Sequence, residues 1–138
     1  MSKHQMTTPS LIQFDKIGTP NLGYISVAEI EHNIPFPIQR VYWTYFTPNH
    51  VERGNHAHKA LEQVIVCVSG IIKFEFENSK GEVFKFTLDD PSKGVHVPPG
   101  YWRRMQFSHS AVLLCLASLL YDEADYIRDY NTFKQYNK

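Results

Sequence analysis

The chain lacks an excess of charge of either sign: 14 lysines and arginines balance 14 aspartates and glutamates, and the pI is about 7.1. Without a basic field, neither nucleic acid nor an anionic membrane is expected as a partner. Its apolar runs all fall short of the roughly 20 residues that a membrane-spanning helix needs. The stretch Met1–Pro9 also has no apolar signal-peptide core, so a cytoplasmic location is expected.

Cysteine is scarce as well. The two cysteines, Cys67 and Cys115, both lie inside apolar, strand-like runs. Buried free thiols in a cytosolic protein explain this placement better than a disulfide or a metal-binding cluster does.

Strand-forming residues, in contrast, are plentiful. Nine Phe, eight Tyr and two Trp occur among 138 residues, and residues 1–138 are expected to form one domain with a real core. Turns containing Gly, Pro or Asn separate short apolar or alternating runs. These runs are Leu11–Ile17, Leu22–Ile30, Ile38–Phe46, Gln63–Val68, Ile72–Glu77, Val83–Leu88, Val95–Val97, Tyr101–Phe107 and Ala111–Leu120. The pattern predicts an all-β antiparallel sandwich or barrel, with helical character only from about residue 123 onward.

One stretch, Arg53-Gly54-Asn55-His56-Ala57-His58, combines charged and titratable residues in front of an apolar run. Side chains alternate along a strand, so the two histidines are expected on the same face. Two imidazoles that titrate near neutrality, beside an arginine and a glycine, indicate a functional site. A solvent-exposed loop is the alternative.

The spacing of these residues resembles the two-part signature of cupins, which are small jelly-roll barrels. The matching residues are Gly54, His56, His58, Glu62 and Gly70 in the first part, and Gly94, Pro98 and Gly100 in the second. In metal-binding cupins a histidine follows in the second part, but Arg103 stands at that place here. A fixed positive charge disfavours a neighbouring cation, so no metal and no other cofactor is expected. A metal-dependent cupin that uses His56, His58 and Glu62 remains the alternative.

A closer resemblance extends over nearly the whole chain. It rests on segments at matching intervals: Asn33–Phe36, Arg40–Tyr42, Arg53–Lys59, Leu61–Val64, Trp102–Met105, Leu116–Ser118 and Tyr121–Tyr130. They resemble the dTDP-4-oxo-6-deoxyglucose 3,4-ketoisomerases, cupin enzymes of deoxy-sugar biosynthesis, for example for O-antigens and other surface glycans. The resemblance implies that a ketone moves from C4 to C3 of a dTDP-linked hexose, and that an aminotransferase then uses the product. A nucleotide-sugar 3,5-epimerase and a non-catalytic sugar-binding cupin would share the fold, and both stay open at this point.

The chemistry suggests roles for several side chains. Moving the ketone requires proton removal from C3, an enediolate and protonation at C4. A neutral imidazole suits the first step, and the resemblance makes His56 the base, with His58 orienting the sugar or passing a proton. Tyr42 is expected to hydrogen-bond the oxyanion or relay a proton, and Arg103 to stabilise the enediolate charge. The remaining expected substrate contacts are Arg53 with the diphosphate, Gln63 with the sugar and Trp102 with an apolar face.

Structural roles stay open for some of these residues. Tyr42 could be an ordinary strand aromatic, and Trp102 could belong to the core. Arg103 and Arg104 are adjacent and must face opposite sides of a strand, and the resemblance rather than the spacing turns Arg103 inward. Arg40 is interpreted as a surface salt-bridge partner.

The resemblance also bears on the product and on assembly. Family members carry either histidine or arginine at the Arg103 position and differ in the C4 configuration of their product. Arginine resists deprotonation and is a poor proton donor, so the gluco product is expected. The family further implies a homodimer that exchanges N-terminal strands, for which Leu11–Ile17 is available. A monomer whose first strand pairs within its own barrel is the alternative.

Overall fold

The computed structural model describes residues 7–136, which form mostly antiparallel strands. The strands are β1 (Ser10–Gln13), β2 (Ile17–Thr19), β3 (Gly23–Ile25), β4 (Arg40–Thr44), β5 (Glu52–His58), β6 (Gln63–Ser69), β7 (Ile72–Glu77), β8 (Val83–Leu88), β9 (Lys93–Val97), β10 (Trp102–Phe107), β11 (Val112–Ala117) and β12 (Tyr126–Ile127). A 3-10 turn, Glu123–Asp125, precedes β12, and the helix α1 (Tyr130–Gln135) follows it. Residues 1–6, which include most of the stretch considered for a signal peptide, lie outside the described part. Neither helical segment in residues 7–136 is long or apolar enough to cross a membrane.

Two five-stranded sheets form the barrel. The first has the strand order β1-β9-β6-β11-β4 and the second β12-β5-β10-β7-β8, while β2 and β3 form a separate hairpin. The alternating run of β7 shows how the sequence builds this arrangement, because Ile72, Phe74 and Phe76 are buried whereas Lys73 is exposed. These apolar side chains join residues of β6, β9 and β11 in one core between the sheets. The prediction of a cupin-type antiparallel jelly roll with a short helical C-terminal segment is confirmed.

Two smaller apolar clusters cover the outer faces of the sheets. On the first sheet, Phe14 after β1 and the segment before β4 pack against β6 and β11. The cluster consists of Phe14, Ile34, Phe36, Val64, Val66 and Leu116. On the second sheet, α1 packs against β5, β10 and β12 through Ala57, Trp102, Ile127 and Phe133. The second of these clusters fixes the C-terminal segment beside the histidine strand.

The N-terminal strand predictions are only partly right. The predicted strand Leu11–Ile17 is divided into β1 and β2. Phe14 still continues the pairing of β1, because its side chain is 3% exposed and its N–H donates to the Ser92 carbonyl oxygen at 2.7 Å. Of the predicted run Leu22–Ile30, only Gly23–Ile25 forms a strand. Nearby, the Asn33 side chain accepts from the Glu29 N–H and donates to the Val27 carbonyl, both at 2.8 Å. These bonds occupy backbone groups that a longer strand would need.

Candidate active site

A cavity of about 330 Å³ opens between the two sheets. One wall carries Arg40, Tyr42 and Thr44, alternate residues of β4 that share a face. The opposite wall is built from β5, β10 and the segment around β12. None of the described residues that line the cavity is acidic, whereas four are arginines: Arg40, Arg53, Arg103 and Arg128. The cavity is therefore suited to an anionic ligand.

His56 reaches this cavity from a β-bulge in β5. In the pairing with β10, His56 lies opposite Arg103 and Gly54 lies opposite Arg104, which leaves Asn55 as the extra residue. Gly54 and Asn55 both have positive φ, at 96° and 54°. A Cβ on Gly54 would lie 2.7 Å from the Arg103 carbonyl oxygen. The glycine of the histidine stretch is therefore needed to form the bulge that presents His56.

The geometry keeps the His56 ring neutral and in one tautomer. Its Nδ1 lies 3.0 Å from the Gly54 carbonyl oxygen, which can only accept, so Nδ1 carries the hydrogen and Nε2 keeps its lone pair. Burial, reinforced by the charge of Arg103, lowers the pKa of His56 to about 4. The ring is therefore unprotonated at neutral pH and able to take up a proton.

His58 lies behind His56 and not at the cavity surface. It is 1% exposed, and the two rings meet edge to face with their centroids 5.0 Å apart. Its Nδ1–H donates to Asp125 Oδ2 at 3.1 Å, and its Nε2 has no hydrogen-bond partner among residues 7–136. Burial, together with the charge of Arg103, lowers the pKa of His58. The predicted catalytic role of His58 stays a prediction, and this position favours an indirect role over contact with the sugar.

Gln63 connects Arg103 to Tyr42. Arg103 is 2% exposed and donates from Nη1 to Gln63 Oε1 and from Nη2 to the Tyr101 carbonyl at 3.2 Å. With its oxygen so engaged, Gln63 donates from Nε2 to the Tyr42 hydroxyl oxygen at 2.9 Å. The Tyr42 hydroxyl in turn hydrogen-bonds the Cys115 thiol, a weak acceptor that a ligand oxygen would replace. Burial raises the pKa of Tyr42, so the hydroxyl keeps its proton.

Gln63 therefore supports the site from behind. It is 1% exposed and is not among the residues that line the cavity. The predicted contact between Gln63 and the sugar stays a prediction. The two groups that Gln63 orients, Tyr42 and Arg103, do line the cavity, as does Arg53.

The sequence did not identify Tyr126 and Arg128 as site residues. Strand β12 pairs with β5, which places Tyr126 opposite His58, and the Tyr126 ring centroid lies 5.2 Å from that of His56. The Arg128 guanidinium stacks on Tyr126 at 4.2 Å and donates to the Glu123 carboxylate at 2.6 and 2.9 Å. The signal in the sequence that could have identified these two residues is the Asp-Tyr-Ile-Arg segment at residues 125–128. Alternation places residues 126 and 128 on one face, but the sequence does not show which strand they meet.

Arg40 corrects an interpretation made from the sequence. It lines the cavity and is not a surface salt-bridge partner, because it shares a face of β4 with Tyr42. Its guanidinium lies over the rings of Tyr42 and Tyr121, at 5.5 and 5.7 Å. Its Nε is buried without a hydrogen-bond partner in the described part of the chain.

Trp102 is placed away from the cavity. It is 4% exposed and packs beneath α1, with its ring 5.7 Å from Phe133 and 5.3 Å from Tyr130. Trp102 precedes Arg103 in β10, so the two side chains face opposite sides of the sheet. Arg104, on the same face as Trp102, pairs with carboxylates of β7. The geometry therefore gives no support to the predicted contact between Trp102 and the substrate.

The metal-binding alternative requires Glu62 beside His56 and His58. Instead, Glu62 Oε1 lies 3.0 Å from His96 Nε2. Within residues 7–136, no three His, Cys, Asp or Glu side chains are arranged to hold a metal ion. The residues present do not fit a bound cation, and a metal-free reaction stays a prediction for metal analysis to test.

Fold and site together define a cupin-type barrel whose arginine-lined cavity holds a neutral histidine and a protonated tyrosine. Residues 7–138 match the family described as FdtA: WxcM-like, C-terminal. The chain is 42% identical over 127 residues to the TDP-4-oxo-6-deoxy-alpha-D-glucose-3,4-oxoisomerase of Aneurinibacillus thermoaerophilus, and the match covers 91% of this chain and 90% of that protein.

The similar solved structures include sugar 3,4-ketoisomerases as well. QdtA, a sugar 3,4-ketoisomerase from Thermoanaerobacterium thermosaccharolyticum in complex with TDP, superposes with a TM-score of 0.88 at 37% identity and covers 95% of each chain. The WlaRB TDP-quinovose 3,4-ketoisomerase from Campylobacter jejuni has a TM-score of 0.87 at 36% identity, covering 94% of this chain and 99% of that one. The chain therefore belongs to the FdtA/WxcM-like family of sugar 3,4-ketoisomerases, and the predicted enzyme class is confirmed.

Proposed function

We propose that this protein converts a dTDP-linked 4-keto-6-deoxyhexose into its 3-keto isomer, with His56 as the base. The observation that carries the proposal is a neutral imidazole, fixed in one tautomer by the Gly54 carbonyl, at the wall of an arginine-lined cavity. The names of the relatives, a TDP-4-oxo-6-deoxyglucose oxoisomerase and a ketoisomerase in complex with TDP, support this substrate class.

In this proposal the nucleotide diphosphate binds at the mouth of the cavity. Arg53 is exposed there, and Arg128 is held over Tyr126 by its two bonds to Glu123. Guanidinium groups bind phosphate oxygens in a planar, bidentate way. The sugar then lies deeper, between the wall that carries Tyr42 and the wall that carries His56.

The reaction follows from the groups around the sugar. His56 Nε2 takes the hydrogen from C3, the C3–H electrons form the C3–C4 double bond, and O4 becomes an oxyanion. Arg103 and Tyr42 are preorganised donors for that charge. The hydroxyl proton of O3 then passes to O4, a proton enters C4 and the C3 carbonyl forms. His56 releases the proton that it took from C3 to solvent, and the group that protonated C4 takes up a proton from solvent. The product is an isomer, so no oxidant or reductant is consumed.

The expected gluco configuration requires two proton-handling groups. In the gluco series the hydrogens at C3 and C4 lie on opposite faces of the ring, so one base that returned its proton to the same face would give the galacto product. His56 and Tyr42 belong to different sheets, on opposite walls of the cavity. The poor acidity of Arg103 does not by itself favour the gluco product, because it removes one possible donor without supplying another. We therefore assign the C4 proton to the hydroxyl of Tyr42.

The test is incubation with dTDP-4-keto-6-deoxyglucose in deuterated buffer, followed by NMR of the sugar. We expect a 3-keto product with deuterium at C4 and the gluco configuration, unchanged after treatment with a chelator. His56→Asn should bind TDP with wild-type affinity and lose turnover by roughly 10²- to 10⁴-fold. Deuterium at C5 would indicate an epimerase, and full turnover without His56 would remove the proposed base.

The dimer remains a proposal as well. Val41 and Trp43, on the outer face of the edge strand β4, are 46% and 60% exposed, and a second copy would cover them. Within the chain, β1 pairs with β9. In a strand-exchanged dimer the same ladder would form between copies. Light scattering should give twice the monomer mass, and a monomer at micromolar concentration would contradict the proposal.

A further inference from the structure

The segment Asp125-Tyr126-Ile127-Arg128 pairs with β5, and the side chains of both strands alternate between the same two faces of the sheet. Tyr126 and Arg128 share a face and line the cavity, whereas Ile127 faces the other way and packs with Ala57. In the same manner, His56 and His58 flank Ala57 in β5. The two strands therefore turn their polar side chains to the face of the sheet on the cavity side, where His58 is buried behind His56, and their apolar side chains toward α1.

Asp125 ties this segment to the end of β5 through three hydrogen bonds. Its carboxylate accepts from His58 Nδ1 at 3.1 Å through Oδ2 and from the Ala60 N–H at 2.7 Å through Oδ1. Its backbone carbonyl accepts from the Lys59 N–H at 2.9 Å. The Asp125 side chain is 11% exposed, and both of its carboxylate oxygens are engaged.

We propose that Asp125 is a positioning residue of the active site, which fixes the tautomer of His58 and, through it, the placement of His56 and Tyr126. The inference rests on the proposed function. Because a carboxylate only accepts, the His58 hydrogen must lie on Nδ1 and the lone pair on Nε2. The His58 ring packs against both neighbours, with centroids 5.0 Å from His56 and 4.4 Å from Tyr126. A ring held in one orientation and one tautomer therefore supports the base from behind.

Replacing Asp125 by asparagine makes the inference testable, because the amide has one acceptor and one donor end. The backbone N–H of Ala60 can only donate, so the amide oxygen of the asparagine must face it. The amide N–H₂ then faces His58 Nδ1 and forces the histidine hydrogen onto Nε2. The side-chain volume hardly changes, so the variant changes the tautomer of His58 and leaves the packing in place.

The experiment combines ¹⁵N NMR of the histidine rings with steady-state kinetics of wild type, Asp125→Asn and Asp129→Asn. In the wild type we expect the His58 hydrogen on Nδ1. In Asp125→Asn we expect it on Nε2, with kcat reduced by roughly 10- to 100-fold, the range typical of such supporting partners, and KM changed less. Asp129→Asn is the matched control. The Asp129 side chain only caps α1, accepting from the Thr132 N–H at 2.8 Å, and asparagine caps equally well.

The possible outcomes test the positioning role of Asp125 and the proposed isomerase function separately. A wild-type His58 with its hydrogen on Nε2 overturns the inference without any variant, so a failure of Asp125→Asn to fold does not protect it. A tautomer change with unaltered kcat also overturns it. If the wild-type protein isomerises no sugar, the proposed function fails, while the ring spectra still decide whether Asp125 sets the state of His58.

Discussion

At the scale of single residues, the fold keeps two side chains of the cavity, His56 and Tyr42, in different protonation states. His56 is neutral because burial and Arg103 lower its pKa to about 4. Tyr42 stays protonated because burial raises its pKa. Both residues were candidates from the sequence, since histidine spacing and strand alternation are local, and both line the cavity. Their catalytic roles stay predictions. The sequence did not show that Gln63 orients Tyr42, because that bond joins residues 21 positions apart.

Tyr42→Phe separates the two proton transfers. Without the hydroxyl, C4 cannot be protonated from the second wall, so net conversion should fall by roughly 10²-fold. His56 still removes the C3 hydrogen, so NMR in deuterated buffer should show deuterium entering C3 of unreacted substrate. His56→Asn, the matched variant for the first step, should abolish that exchange too. Wild-type conversion by Tyr42→Phe would show that Tyr42 is only a strand aromatic.

At the scale of elements, the strands could be predicted and their irregularities could not. The predicted run Ile72–Glu77 coincides with β7, and the predicted run Ala111–Leu120 contains β11, which ends three residues earlier at Ala117. The bulge at Gly54 has no local signature, because the need for glycine there comes from the carbonyl of Arg103 on a neighbouring strand. The sequence also did not predict that β12 forms part of the cavity wall, because β12 pairs with β5, which lies more than 60 residues earlier in the chain.

Gly54→Ala tests whether the bulge presents the base. The added Cβ would meet backbone at a φ of +96°, so we expect destabilisation of about 1–3 kcal/mol and a lower kcat. Gly81→Ala is the control, since its φ of +89° carries a similar backbone cost and the nearest atom is the flexible Lys134 Nζ at 3.6 Å. Denaturant unfolding should show stability loss in both variants, whereas kcat should fall only in Gly54→Ala. Loss of activity in Gly81→Ala alone, or in neither variant, would contradict the role of the bulge.

At the scale of the whole molecule, the barrel buries two uncharged imidazoles beside arginines, and its stability must depend on pH. Burial lowers the pKa of His56 to about 4 and that of His58 to about 2, against about 6.5 in an unfolded chain. Between these values the unfolded state binds protons that the native state does not. Stability is therefore complete above about pH 6.5 and falls as the pH falls.

Each ring should remove up to about 1.4 kcal/mol of unfolding free energy per pH unit below about pH 6.5. Carboxylates with lowered pKa, such as Glu77, lose their contribution only below about pH 4.5, so urea unfolding between about pH 5 and 7 isolates the histidines. His56→Asn should reduce the slope by the share of one ring. A wild-type stability that stays constant across this range would mean that burial does not keep either ring neutral. The assignment of His56 as an unprotonated base at neutral pH would then fail.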